Sequence, residues 1–404
     1  MRALVIHQNF PGQFRHLLTA WSTRPDWQVL GVGRDTAPGM TGVRWLRYRA
    51  HRGVGHTQHP YLRSMEDAVL HGQAVARKLV ALKRRGFIPD AVIAHPGWGD
   101  TLYLKDVYPD ARLVHFCEWY YASSGSDIDF DPEFPSRFDD HARIRTRNAL
   151  HLLNLENCDA GVSPTQWQRG RHPRAYQPRI AVAHEGIDTG NLGPEPDARL
   201  TLADGTTLCA GDPVITYVAR NLEPYRGFHS FMRALATIQR RHPHCHALIV
   251  GGDGVSYGRP PADAANWRVR LTQETRPDPA RTHFLGRIPY SAYRTVLQVS
   301  AAHVYLTYPF VLSWSMLEAM ACGCLVIGSR TPPVEEVIHD GDNGMLVDFL
   351  DPGQIAERVL EALDDPVRLA GIRTRAIETA RKDFRIADGI AAYDRVVQGL
   401  GNQP

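Results

Sequence analysis

Short, nearly continuous apolar runs alternate along this chain with longer stretches in which apolar residues recur every three or four positions. The first run, Ala3 to His7, is broken by Pro11-Gly12, after which Phe14, Leu17, Leu18 and Trp21 fall on one helical face. Gln28 to Gly33 and Val43 to Tyr48 read as further strands. Ser64 followed by Asp67 is a helix-start signature, and Met65, Ala68, Gly72, Val75, Leu79 and Leu82 line one side of the long helix it predicts. Ala91 to Ala94 and Arg112 to Phe116 read as strands, Arg137 to Asn157 as a helix, and Ser163-Pro164 as the start of another. Strands separated by helical crossovers pair in parallel, so the pattern predicts a doubly wound α/β domain in the first half.

Between Glu185 and Gly211 the pattern lapses into a linker rich in Gly, Pro and Asp, where Asp204-Gly205 predicts a small hairpin. The alternation then restarts. Strand Val214 to Val218 precedes a helix carrying Phe228, Phe231, Leu235 and Ile238, and strand Ala247 to Val250 runs into Gly251-Gly252-Asp253-Gly254. Strand Thr282 to Leu285, helix Ser291 to Val299, strand Val304 to Thr307, helix Met316 to Ala321 and strand Leu325 to Gly328 follow. The expectation is two Rossmann-like parallel-sheet α/β domains facing across a cleft, because such sheets take ligands at the carboxyl ends of their strands.

Composition narrows the classes without choosing one. Hydrophobic residues make up 43% of the 404 and charged residues 22%, the balance of a globular chain rather than a disordered or fibrous one. The 46 basic against 43 acidic residues leave +3, too small an excess to imply a nucleic-acid partner. No apolar run approaches the ~20 residues that span a bilayer. The start at Met1 to His7 lacks the apolar core of a signal peptide, so the expected location is cytoplasmic. Among six cysteines there is no Cys-x-x-Cys spacing, and Cys322-Gly323-Cys324 reads as buried thiols where a helix runs into a strand.

No Walker pattern is present and no Gly-x-Gly-x-x-Gly follows the first strand, so any phosphate site is built another way. Gly251 to Gly254 is a glycine-rich strand end that reads equally as a plain turn. Pro11-Gly12 joins the first strand to the first helix, where amides and the helix dipole can hold an anion. Arg220 and Arg226 flank the loop after the first strand of the second domain and either face a diphosphate or form surface ion pairs. Ser313 and Ser315 open the helix carrying Glu318, a carboxylate set among Met316, Leu317, Ala319 and Met320. Burying it is costly unless it caps a neighbour or accepts from ligand hydroxyls, as acidic residues do with ribose.

Taken together, Tyr308 through Gly323 with Leu325-Val326-Ile327 resembles the donor-site motif of family-4 glycosyltransferases, retaining enzymes with the two-domain GT-B fold. Val218 to Gly227 resembles their Arg…Lys-Gly phosphate motif with Arg226 in place of the Lys, and His184 to Asp188 resembles the segment entering their second domain. Glu336-Val337-Ile338 through Gly341 and Gly344 matches the stretch beyond. The resemblance spans about residues 160 to 350. It implies a first, acceptor-binding domain at 1–188 joined by a last helix at about 384–404, and a nucleotide-sugar donor domain at 189–383.

The resemblance implies that Glu318 binds the ribose, that Arg220 and Arg226 hold the diphosphate and stabilise the leaving group, and that amides near Gly12 and at Ser313 to Ser315 complete the cradle. The implied donor set is Gly12, Gly252, Arg287, Ile288, Phe310, Leu312, Ser313, Trp314, Ser315 and Glu318. The resemblance implies a UDP- or GDP-linked sugar as co-substrate, with neither cofactor nor metal. One departure stands out: the family's second glutamate, eight residues before the ribose-binding one, is here Phe310.

Glu118 ends the strand Arg112 to Cys117, where relatives place a catalytic polar residue, and is assigned with Arg220 and Arg226 to the catalytic set. His95-Pro96-Gly97-Trp98 follows another strand, and His95, Gly97, Trp98 and Tyr120 are assigned to the acceptor pocket; His115 reads as a core histidine. Asp127-x-Asp129-x-Asp131 is read as a solvated acidic loop in preference to a cation site. Arg77-Lys78, Lys83-Arg84-Arg85 and Arg143, Arg145 and Arg147 read as solvated helix faces, with contact to the inner face of a membrane the alternative. The leading expectation is a retaining glycosyltransferase acting on a glycan, glycolipid or small-molecule acceptor. The alternatives are a degenerate non-catalytic partner subunit, suggested by Phe310, and a sugar-nucleotide 2-epimerase.

Overall fold

The apolar run behind Arg2 becomes the buried strand β1 (Arg2–Ile6). Its companions are β2 (Gln28–Arg34), β3 (Trp45–Tyr48), β4 (Ala91–Ala94), β5 (Arg112–Phe116), β6 (Ala160–Ser163) and β7 (Ile180–Val182). They form one sheet in the order β3-β2-β1-β4-β5-β6-β7 with every pairing parallel. The order reverses between β1 and β4, so the loops leaving these two strands diverge and open a crevice at their carboxyl ends. The computed structural model describes residues 1–400. The chain divides into a first unit, Met1–Gly186 with the chain from Ile386 onward, and a second, Ile187–Arg385.

Helices cover both faces of the first sheet. Helix Arg63–Arg84 buries Ala68, Leu70, Gly72, Val75 and Leu79, with Val75 and Leu79 in a core with Leu4, Ile6, Val92 and Leu113 and Ala68 against Leu102 and Leu150. Its cap position is Leu62, without a side-chain bond, so Ser64 lies inside the first turn and does not cap; Asp67 faces His71 at 3.5 Å instead. The start expected at Ser163-Pro164 falls at Thr165, whose hydroxyl accepts the Gln168 N–H at 3.1 Å, because Ser163 is still the last residue of β6. On the other face, Phe10, Phe14, Leu18 and Trp21 pack with Val5, Ile93 and Phe116. The last helix, Ile386–Val397, belongs to this unit: Asp394 accepts from Trp21 Nε1 at 2.7 Å and from Arg24 at 2.6 Å. The final four positions of the expected 384–404 segment lie outside the described residues.

The second unit opens with the antiparallel hairpin β8 (Arg199–Thr201) and β9 (Thr207–Cys209), turned at Asp204-Gly205 with Gly205 at φ 88°. Its main sheet contains β10 (Val214–Asn221), β11 (His246–Gly252), β12 (Thr282–Gly286), β13 (Ala302–Tyr305), β14 (Leu325–Ser329) and β15 (Met345–Val347). The order is β12-β11-β10-β13-β14-β15, again parallel throughout. Strand β15 and the helices Trp267–Thr275, Pro352–Asp364 and Ala370–Asp383 escape the sequence pattern. Three residues are too few to show a period, and these helices mix charge into most turns. All six cysteines are free, and Cys322 and Cys324 are buried as expected. Among the described residues no helix is long and apolar enough to cross a membrane.

Candidate functional site

In the second unit the chemistry gathers at the carboxyl ends of β10, β11, β12 and β13. Helix Trp314–Ala321 starts there, capped by the Ser313 hydroxyl, and carries Glu318 on its buried side. Both carboxylate oxygens have partners: Tyr290 donates its hydroxyl to Oε1 at 2.9 Å and Tyr293 to Oε2 at 2.7 Å. Burial pushes the Glu318 carboxyl above its ordinary value, and the two phenol donors oppose that shift. Nothing in the sequence marked Tyr290 and Tyr293; they meet Glu318 because helix Tyr290–Gln298 packs beside it.

Arg226 is buried and held from several sides. Its Nη1 donates to Thr307 Oγ1 at 2.8 Å and to the Val311 carbonyl at 3.0 Å, and lies 3.4 Å from the Tyr305 hydroxyl. The same Tyr305 hydroxyl accepts the Ser313 N–H at 2.8 Å, so one phenol joins the arginine to the cap of the Glu318 helix. Arg220, at the end of β10, is exposed and makes no side-chain hydrogen bond or ion pair among the described residues. Arg287 donates to Asn221 Oδ1 at 3.1 Å. Gly252 lies beside them, where a Cβ would fall 2.7 Å from Asn221 Oδ1 and 2.8 Å from Arg287 Nε, so a side chain there would push the Asn221–Arg287 pair aside.

Phe310 is buried in an aromatic cluster, edge-on to Tyr225 and Tyr257 with ring centroids 5.6 and 5.0 Å away; Tyr308 stands 4.6 Å from Tyr225. A carboxylate there would be desolvated against rings, so the replacement of the family's glutamate is matched by its surroundings. The sequence reading also missed Glu223, which is wholly buried at the turn between β10 and helix Phe228–Arg241.

In the first unit, Glu118 follows β5 and His95 follows β4. His95 Nε2 lies 3.1 Å from Glu118 Oε2, and Gln13 Nε2 donates to Oε1 at 3.2 Å. His95 Nδ1 accepts the Gly97 N–H at 3.1 Å, which places the ring proton on Nε2, facing the carboxylate. Burial opposes ionisation of Glu118, but the bonds from His95 and Gln13 prevail and hold its carboxyl below the ordinary value. Trp98 stacks on His95 with centroids 4.2 Å apart and meets the His7 ring edge-on at 5.3 Å. His115 is fully buried with neither ring nitrogen hydrogen-bonded, and burial takes its pKa down to about 3.

Several expected roles change. The Gly12 amide closes a turn onto the Asn9 carbonyl at 3.0 Å and is not offered to an anion. What Gly12 supplies, at φ 54°, is space, since a Cβ would fall 2.5 Å from the His7 ring. The Ser313 amide is taken by Tyr305, and the Ser315 amide by Ser313 Oγ at 3.4 Å. Ile288 and Leu312, partly buried, pack against the core of the second unit, and Tyr120, partly buried, packs against Cys117, Leu155 and Ile180. The acidic loop is not solvated as a whole. Asp127 and Asp131 are buried, accepting from Ser126 Oγ at 2.9 Å and the Glu133 N–H at 3.0 Å, while Asp129 pairs with His141 at 3.0 Å.

Two parallel-sheet α/β units of this kind are the architecture of glycosyltransferases of the GT-B type. The model for the glycosyl transferase family 4 group matches residues 25–192, and that for the glycosyl transferases group 1 matches residues 205–383. The chain belongs to this glycosyltransferase family.

Among curated relatives, a GDP-mannose-dependent alpha-(1-6)-phosphatidylinositol monomannoside mannosyltransferase of Mycolicibacterium smegmatis is 28% identical over 236 residues, 56% of this chain and 58% of that protein. A D-inositol 3-phosphate glycosyltransferase of Corynebacterium efficiens is 28% identical over 60% of this chain and 57% of its own. The chain thus spans little more than half the length of these relatives. Sucrose-phosphate synthase from Thermosynechococcus elongatus superposes with a TM-score of 0.73 at 18% identity over 99% of both chains. Anabaena Alr3699/HepE in complex with UDP and glucose superposes with 0.72 at 16%, over 99% of this chain and 100% of that one. At such identities the likeness concerns the fold.

Proposed function

We propose that this protein is a retaining, metal-independent glycosyltransferase that moves a hexose from a UDP- or GDP-sugar to a hydroxyl of a glycan, glycolipid or small-molecule acceptor. The observation that carries the reading is the single phenol, Tyr305, tying Arg226 to the cap of the helix on which Tyr290 and Tyr293 hold Glu318. That arrangement offers a ribose acceptor and a buried cation on one edge of one sheet. Glu318 takes the two ribose hydroxyls, displacing or sharing the tyrosine donors. Arg226 and the unpaired Arg220 meet the diphosphate, Arg287 beside Gly252 adds a third cation, and Trp314 lines the same helix start.

As the bond from C1 to the phosphate oxygen breaks, its electron pair passes to the diphosphate, and preorganised cations stabilise that charge. The acceptor oxygen bonds C1 on the same face and its proton goes to the leaving phosphate. In the first unit Glu118, kept ionised by His95 and Gln13, orients the acceptor hydroxyl, and the Trp98 ring with His95 and Gly97 shapes the acceptor pocket. The curated relatives' names include an inositol phosphate and a phosphatidylinositol mannoside, which supports a phosphorylated polyol or its lipid as acceptor class.

The test is a thermal melt with UDP, GDP and their hexose conjugates, with and without EDTA, followed by the anomeric configuration of the product. A shift unaffected by EDTA and lost in Glu318→Ala is the expected result, and no shift with any nucleotide overturns the reading. A second reading, a non-catalytic partner subunit, rests on Phe310 within its aromatic cluster; turnover by the purified chain alone excludes it.

A further inference from the structure

Glu223 is 0% exposed, and its carboxylate takes three consecutive backbone N–H groups: Ser256 at 2.9 Å on Oε1, and Tyr257 at 3.1 Å and Gly258 at 2.9 Å on Oε2. A run of amides in the glycine-rich loop after a parallel strand is an anion nest, the usual place for a ligand phosphate. Here the chain's own carboxylate fills the nest, and Glu223 is too deeply buried to be exchanged for a ligand. The loop from Asp253 to Gly258 is therefore tied down before any donor arrives.

Two consequences are visible around it. Ser256 Oγ accepts from Asn221 Nδ2 at 2.7 Å, and Asn221 Oδ1 in turn accepts from Arg287 Nη2 at 3.1 Å. Tyr257 is laid against Phe310 at 5.0 Å and over the Arg226 guanidinium, 5.5 Å from ring centre to guanidinium carbon. One carboxylate thus sets the rail that aims Arg287 and the ring that covers Arg226. The geometry points to Glu223 as a positioning residue for the donor site, presetting the loop so that Tyr257 and Phe310 together wall the donor beside its two arginines. This inference rests on the donor reading given above.

Ordering such a loop in advance lowers the cost of binding, and charge-assisted bonds to amides are among the stronger ones. The experiment has two arms. Hydrogen exchange of the unliganded protein reads the clamp itself: the amides of Ser256, Tyr257 and Gly258 are protected in the wild type and lose that protection in Glu223→Ala. Titration with UDP and GDP, together with steady-state kinetics, reads its role. Glu223→Ala binds the nucleotide about tenfold more weakly or worse, with a raised donor KM and a lowered kcat, while the acceptor KM stays near wild type.

Glu223→Gln, which keeps shape and one acceptor oxygen, restores part of both effects and serves as the test should the alanine variant not fold. Lost protection with unchanged nucleotide affinity overturns the inference. A fall in kcat, donor affinity and acceptor affinity together marks a merely structural residue and overturns it as well. Wild type that binds neither nucleotide overturns the donor reading and this role with it, a result distinguishable because the exchange arm stands on its own.

Discussion

Arg220 and Arg226 look equivalent in a sequence, six positions apart around a turn, yet the fold gives them different surroundings. Arg226 spends one guanidinium nitrogen on Thr307 and the Val311 carbonyl, whereas Arg220 has no partner among the described residues. Arg220→Ala should therefore leave the melting temperature within about 1 °C, as surface changes do, while lowering donor turnover about 10- to 100-fold by removing one charge-assisted contact. Arg226→Ala should lower turnover by a similar factor and also cost about 1–3 kcal/mol of stability, because the Val311 carbonyl loses its donor. Melts and kinetics on the pair separate the two roles. That the two flank one loop was legible in their spacing, which reads equally as a phosphate pair and as surface ion pairs. That only one of them also supports the fold was not, since Thr307 and Val311 reach Arg226 across β13 and the loop after it.

At the scale of elements, turns carry the clearest signals and helix starts the weakest. Asp204-Gly205 named its hairpin because a φ of 88° is open to glycine at little cost. Gly227 is a stricter case: it stands at φ 70° between the Pro224–Arg226 turn and helix Phe228–Arg241, and a Cβ there would lie 2.4 Å from Leu306. Gly227→Ala should cost about 2 kcal/mol or more, from strain plus collision, against about 1 kcal/mol for Gly205→Ala in open space; denaturant titration of the two variants measures the difference. The capping signatures at Ser64 and Ser163 misled because a cap is chosen by where the chain turns, and the preceding strand or turn decided that first. The position of Phe310 was legible, but its aromatic company was not. Tyr225, Tyr257 and Tyr308 come from three separate loops.

At the scale of the whole molecule, buried histidines are unevenly shared. In the first unit burial takes His115 and His151 down to about 3, and His172 and His184 to about 4; in the second, His303 falls to about 3 and burial lowers the half-buried His246 and His283 as well. Each is neutral in the fold but titrates near 6.5 once unfolded. The unfolded chain therefore binds more protons below that value, and the stability these groups contribute at neutral pH is lost as pH falls from about 6.5 toward 4 and 3. The first unit, with four such groups, should lose its structure first as pH is lowered from 7 to 4. His115→Leu should flatten the dependence by up to about 1.4 kcal/mol per pH unit. Melts across that range, read with an exchange probe in each unit, check it.

Alternating apolar runs and helical periods by themselves determined two parallel-sheet units and the hairpin that opens the second, and the family resemblance of the motifs marked Glu318, Arg220, Arg226 and Glu118 as the points of interest. Local sequence can do this because strand, helix and turn preferences act over a few neighbouring residues. The partners of those residues were decided by tertiary structure alone: Tyr290 and Tyr293 on Glu318, Tyr305 between Arg226 and Ser313, His95 on Glu118, and Glu223 in the nest of the Ser256–Gly258 amides. Such contacts join strands and helices far apart in the chain. Their geometry depends on strand order and register, which the order 3-2-1-4-5-6-7 of the first sheet shows is not the order of the sequence.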